Sequence, residues 1–113
     1  MPITNQQARE HVFLQPLYSD PYFPDELLDG GADILRRLCE RIEAVRPADL
    51  AALYPLTHAA TEEFNAWGEA LEEAGSEIET VARDEIAGDF AFVATAYGFP
   101  DADPEKLIAT RDW

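Results

Sequence analysis

Glu85 and Asp89 stand one helical turn apart. Two carboxylates at that spacing can hold a divalent cation such as Mg2+ or Mn2+, which makes a metal-binding protein or a metal-dependent hydrolase the chemical reading to test. The preceding helical stretch offers His58, Glu62 and Glu63 as further ligands. A di-metal centre in a helical bundle, however, asks for an inward Glu-x-x-His on each of two helices, and the sequence has none. His58 and Glu62 fall on the outward side of their helical wheel. Nucleophilic catalysis is served less well still. Cys39, His11 and His58 are the whole stock of thiol and imidazole, and no G-x-S-x-G elbow is present. Cys39 lies beside the apolar positions of a helix and reads as a small core residue. With one cysteine, neither an internal disulfide nor a cysteine-based zinc site can form.

Asp89 also has a structural reading. With Ile86 at zero on the helical wheel, Asp89 falls at roughly −60° and Glu85 at roughly −100°. Asp89 is therefore inside the apolar stripe and Glu85 at its edge. A buried carboxylate needs a partner. An Arg, a Tyr hydroxyl or a helix end would let Asp89 hold the bundle in register, and this reading leads.

The other carboxylates act through number. From Glu62 to Asp89 there are ten acids and one base, Arg83, within a chain of net charge −15. Glu62, Glu63, Glu69, Glu72 and Glu73 are the candidate contacts for a basic protein partner; the plainer reading is a solvated face that keeps the protein soluble. The same charge excludes a grip on nucleic-acid phosphates or on an anionic membrane, since both need local positive charge. Four of the eight basic residues, Arg36, Arg37, Arg41 and Arg46, gather on one helix among acids, which is no nucleic-acid footprint.

The elements that must position these residues are helices, and no alternating strand pattern competes. Residues 1–113 read as one domain, an N-terminal arm over 1–23 and a helical bundle over 24–113. Pro24 with Asp25 and Glu26 opens a helix over about 25–45, with Leu28, Gly31, Leu35, Leu38, Ile42 and Val45 as its stripe. Gly30-Gly31 either breaks that helix or lets a neighbour approach; it is not a phosphate loop, and no cofactor is expected. The next helix runs over about 48–74 with a break near Pro55, and its stripe is Leu53, Leu56, Ala60, Phe64, Trp67 and Leu71. Gly75 ends it, and Ser76 with Glu79 forms a capping box that starts a helix over 77–97 directly. Ile78, Ala82, Ile86, Phe90, Val93 and Tyr97 make its stripe, and Gly98 closes it.

The arm carries Phe13, Leu17, Tyr18, Tyr22 and Phe23 between prolines, with Thr4 capping a short helix to about Leu14. It is expected to pack across the bundle. Asp103-Pro104 opens a last short helix to about Thr110, and Trp113 is expected to dock in a groove. The fold expected is an all-α, antiparallel bundle of three main helices covered by this arm and this short helix. The N-terminus lacks the features of a signal peptide and no run is long enough to span a bilayer, so a cytoplasmic protein is expected.

The phrases Y-S-D-P-Y-F-P, L-T-H-A-A-T-E-E-F-N, G-S-E-I-E-T-V-A-R-D-E-I-A-G-D-F and I-A-T-R-D-W resemble an uncharacterised bacterial family of small acidic single-domain proteins, catalogued as a domain of unknown function. The resemblance covers roughly residues 18–113 and implies a bacterial source. It carries no activity to transfer. The function expected is a non-catalytic protein-binding or regulatory module, with a toxin-neutralising immunity protein as one form. The metal reading at Glu85 and Asp89 is the alternative, and a structural homodimer joined through the arm is a third.

Overall fold

Several ends of the long helices carry residues suited to them: Asp49 caps one start, and Gly75 and Gly98 at positive φ close two helices. The computed structural model describes residues 3–113. Helix α1 (Gln6–Glu10) is one short turn and a 3-10 turn follows at Gln15–Ser19. Then come α2 (Asp25–Val45), α3 (Leu50–Glu73), α4 (Thr80–Ala96) and α5 (Pro104–Leu107). There is no strand among the described residues. The chain is all-α, as its periodicity predicts.

Helix α2 begins behind Pro24, with Asp25 and Glu26 in the first turn where the helix dipole favours negative charge. It runs unbroken through Gly30 and Gly31. Leu28, Leu35, Leu38 and Ile42 point inward as expected, joined by Ala32, Ile34 and Cys39, whereas Val45 is 56% exposed and leaves the expected stripe. Helix α3 is capped by Asp49, whose carboxylate accepts from the Ala52 amide at 2.9 Å. The break expected near Pro55 does not occur. Pro55 removes only one donor, the one for the Ala51 carbonyl, and Ala51 is exposed, so water can serve that oxygen. Burial of Leu53, Thr57 and Ala60 holds the helix on both sides of the proline.

Gly75 at φ +86 ends α3 as expected. The Ser76 amide donates to Leu71 O (2.8 Å) and the Gly75 amide to Glu72 O (3.0 Å), the paired bonds of a Schellman motif. Gly98 ends α4 in the same way, with Phe99 N to Ala94 O at 2.8 Å. The Ser76–Glu79 capping box is not formed. Helix α4 starts at Thr80 behind Glu79, and the Ser76 hydroxyl is buried without a hydrogen-bond partner. The Schellman turn sends residues 76–79 away from α3 in a non-helical path, and this path seats Ile78 in the core against Gly68.

Helices α2 and α3 pair most extensively, and α5 packs against both α3 and α4. At the α2–α3 contact the Trp67 indole N–H donates to the Leu27 carbonyl. A Cβ on Gly31 would meet Leu14 Cδ1 at 2.9 Å and Trp67 Cε2 at 3.0 Å, so the second glycine of the pair serves close approach. Phe64 links the layers, with ring centroids 5.8 Å from Phe90 and 6.4 Å from Trp113. The arm packs as expected: Phe13, Leu14, Leu17 and Phe23 are buried, while Tyr22 stays 42% exposed. Its helix is shorter than expected, and its cap is Asn5, which accepts from the Ala8 amide at 3.0 Å. Thr4 instead meets Glu43 of α2.

The tail is clasped to α3. His58 Nε2 donates to Lys106 O (2.8 Å), Asn65 Nδ2 donates to Thr110 O (3.2 Å) and the Asp112 amide donates to Asn65 Oδ1 (3.0 Å). His58 thus faces the tail rather than solvent. Two of the phrases singled out in the sequence, L-T-H-A-A-T-E-E-F-N and I-A-T-R-D-W, lie against each other. Among the described residues no helix is long and apolar enough to cross a membrane.

Candidate functional site

The acids of 62–89 do not share one face. A groove of about 330 Å3 lies between the end of α3, the 76–79 link, the start of α4 and the tail, and its walls carry Glu69, Glu72, Glu77 and Asp112 beside Ile78 and Trp113. Arg83 is the one base there, and its Nε donates to the Trp113 carbonyl at 3.2 Å. A second groove of about 540 Å3 shares Glu77, Ile78 and Arg83 and continues past Glu79 to Asp20 and Tyr22. A hydrogen bond to Glu77, and then the Glu77 charge, raises the Glu79 carboxyl above its ordinary value. The two carboxylates are thus close enough along the link to repel each other.

Glu69 and Glu72 are therefore brought together, with Glu77 and Asp112 added. Glu63 is drawn to the opposite face, where Arg37 of α2 donates to it at 2.8 Å. Glu62 and Glu73 are exposed outside both grooves. Arg36 turns to Asp33 at 2.6 Å.

Glu85 and Asp89 lie on another side of α4. Asp89 is 3% exposed. His11 Nε2 approaches its Oδ1 at 2.9 Å, and the Leu14 amide donates to its Oδ2 at 2.8 Å. The carboxylate thus ties the arm to α4, a structural role with partners other than the Arg, Tyr or helix end expected. The His11 ring stacks on Phe92 with centroids 3.9 Å apart, which fixes its orientation. Burial, then the Asp89 charge, raises the Glu85 carboxyl, and His11 offsets part of this. Among the described residues no group of three or more His, Cys, Asp or Glu is placed to hold a metal ion.

A second carboxylate, unmarked in the sequence, anchors the start of the arm. Glu43 Oε1 accepts from the Thr4 amide (2.9 Å) and hydroxyl (2.8 Å), and Oε2 accepts from the Asn5 amide (3.1 Å) and the Tyr97 hydroxyl. Desolvation pushes this carboxyl up, but the bonds from Tyr97, Thr4 and Asn5 outweigh it and hold it at about 2. Burial and the bond to Glu43 in turn push the Tyr97 phenol up. A carboxyl lowered on folding stabilises the protein above its unfolded value near 4.5, and this support drains away as pH falls towards 2. Glu43→Gln is expected to remove about 1–2 kcal/mol at neutral pH, less than full linkage because the group is partly exposed, and to flatten stability below pH 4.5. Urea unfolding between pH 2.5 and 6 checks it; an unaltered pH slope would contradict the assignment.

The model of a family of unknown function, DUF5713, matches residues 7–113. The chain belongs to this family. No curated protein and no solved structure matches the chain. The span shared with DUF5713 takes in both grooves, the tail clasp and the His11–Asp89 tie, and it begins after Thr4 and Asn5. Within this DUF5713 chain, sequence reasoning missed Glu77, Asp112 and Asp20 as groove residues. The alternation of Ser76, Glu77, Ile78 and Glu79 was the available signal for the link. Asp112 and Asp20 carry none, because their placement follows from long-range docking.

Proposed function

We propose that this protein is a non-catalytic binding or regulatory module whose acidic groove receives a basic protein partner. The observation that carries this reading is the groove itself, where Glu69, Glu72, Glu77 and Asp112 surround a concave surface whose one base is engaged by the Trp113 carbonyl. Such a surface steers a cationic partner and raises its association rate. A toxin-neutralising immunity protein is one concrete form, since an acidic groove can cover a cationic active site. The groups best suited to covalent or acid–base catalysis are committed elsewhere. Burial, first of all, pushes the Cys39 thiol up to about 12, and His11 and His58 both hold structural hydrogen bonds. The setting proposed is the bacterial cytoplasm, with which one reduced cysteine accords.

The test compares the protein with its Glu69→Gln, Glu72→Gln, Glu77→Gln variant in capture from host lysate at low and high salt. The reading expects a stoichiometric basic partner that leaves at high salt and associates about tenfold or more slowly with the variant. An association rate unaltered by the three substitutions would sink it.

A further inference from the structure

We infer that the 76–79 link is a docking edge for an extended peptide segment that pairs with it as a β-strand and alternates basic and apolar residues. The basic half of this assignment rests on the acidic-groove reading; the strand pairing rests on the backbone. Along the link, burial alternates: Ser76 and Ile78 are buried and Glu77 and Glu79 exposed. That period of two belongs to extended chain. Glu79 is extended in its own dihedrals, at φ −107° and ψ −171°. Among the described residues, nothing accepts from the backbone N–H groups of Glu77, Ile78 and Glu79. Unpaired amides along an extended segment are the template that a further strand adds to.

The surroundings supply what a bound strand needs on its two faces. The grooves of about 330 Å3 and about 540 Å3 share Glu77 and Ile78, so they flank this one stretch. The larger presents Tyr22, 42% exposed, and Val81, 67% exposed, two of the large apolar side chains that the fold leaves uncovered. Alternate side chains of an added strand point to opposite faces, so one set faces inward beside the buried Ile78 and the other faces outward beside the exposed Glu77 and Glu79. Glu69, Glu72 and Asp112 wait on one flank, Asp20 and Glu79 on the other. Charge complementarity thus selects Lys or Arg as the polar set and rejects an acidic segment. At about 3.3 Å per residue, the four-residue edge spans a peptide core of about four residues.

The test uses a seven-residue peptide alternating Lys and Val, and the same peptide with all of its backbone amides methylated, each added to the 15N-labelled full chain. The unmodified peptide is expected to bind saturably and to slow hydrogen exchange at one or more of the Glu77, Ile78 and Glu79 amides by about tenfold or more. The methylated peptide, which cannot complete the backbone pairing, is expected to bind at least about tenfold more weakly. Equal binding of the two peptides, or binding with no slowing at these amides, overturns the strand pairing and leaves the acidic groove standing as a docking surface. No binding of either peptide also overturns it, and the groove reading is then decided separately by the rate measured with the Gln variant.

Discussion

Asp89→Ala is expected to lower stability by about 3–5 kcal/mol, the cost of two hydrogen bonds to a carboxylate at about 1.5–3 kcal/mol each. The carboxylate is 3% exposed and accepts at 2.9 Å from His11 Nε2 and at 2.8 Å from the Leu14 amide. Removing it leaves a buried N–H with no acceptor and a ring that keeps only its aromatic neighbours. Leu14 adds to the loss. It sits at φ +60 with its side chain fully buried, a conformation that costs about 1–3 kcal/mol in a non-glycine residue and persists because its surroundings hold it. The bond to Asp89 is one of the constraints that hold it. His11→Ala leaves the Leu14 bond in place and is expected to cost about 1–2 kcal/mol. Urea denaturation of the three proteins with and without EDTA checks both numbers. A loss of the same size in EDTA assigns Asp89 to the fold, whereas a loss seen only when Mg2+ or Mn2+ is supplied would restore the metal reading.

Gly31→Ala is expected to destabilise by about 1–3 kcal/mol, the range for overfilling a packed contact. The new methyl would stand 2.9 Å from Leu14 Cδ1 and 3.0–3.1 Å from two atoms of the Trp67 indole, and that ring is pinned by its bond to the Leu27 carbonyl. Leucine can turn away; the indole cannot without giving up that bond. Gly30→Ala gives the control, because a Cβ there meets nothing within 4 Å and the helix gains a better former. It is expected to stabilise by about 0.5–1 kcal/mol. Opposite signs at adjacent positions, read from thermal or urea unfolding, establish the close approach of the arm, α2 and α3. Equal effects at the two positions would contradict it.

These residues also show how far the sequence could be read. Local signals placed both ends of α2, because Pro24 and the acids behind it bound one end of a regular stripe and Pro47 follows the other. Gly75 and Gly98 ended their helices because positive φ is cheap only for glycine. Pro55 misled, since the rule that proline interrupts a helix does not see that the abandoned Ala51 carbonyl faces solvent. Ser76 misled for a related reason. Its capping box is a local preference, and it was overruled by the burial of Ile78, which needs the link to leave α3 before α4 can start. For the candidate site the excess of acid was legible and its distribution was not. Arg37 claims Glu63, and the tail brings in Asp112, through contacts between residues 26 and more positions apart in the chain. Asp89 was legible as a buried carboxylate, but its partners lie 75 and 78 positions away in an arm with no regular pattern.

That separation has a consequence for how the chain reaches its fold. Helices α2 and α3 are joined by four residues, so their contacts close early and at small entropic cost. The ties that fix the arm to the last long helix span far more chain, with His11 to Asp89 across 78 positions and Asn5 to Ala96 across 91. During synthesis Phe13, Leu14 and Leu17 leave the ribosome long before the carboxylate that anchors them exists. The α2–α3 hairpin must shelter these apolar side chains first, and α4 locks them only when it arrives. The same order places the Asp89 ties late on the folding path, so their loss is felt as faster unfolding more than as slower folding.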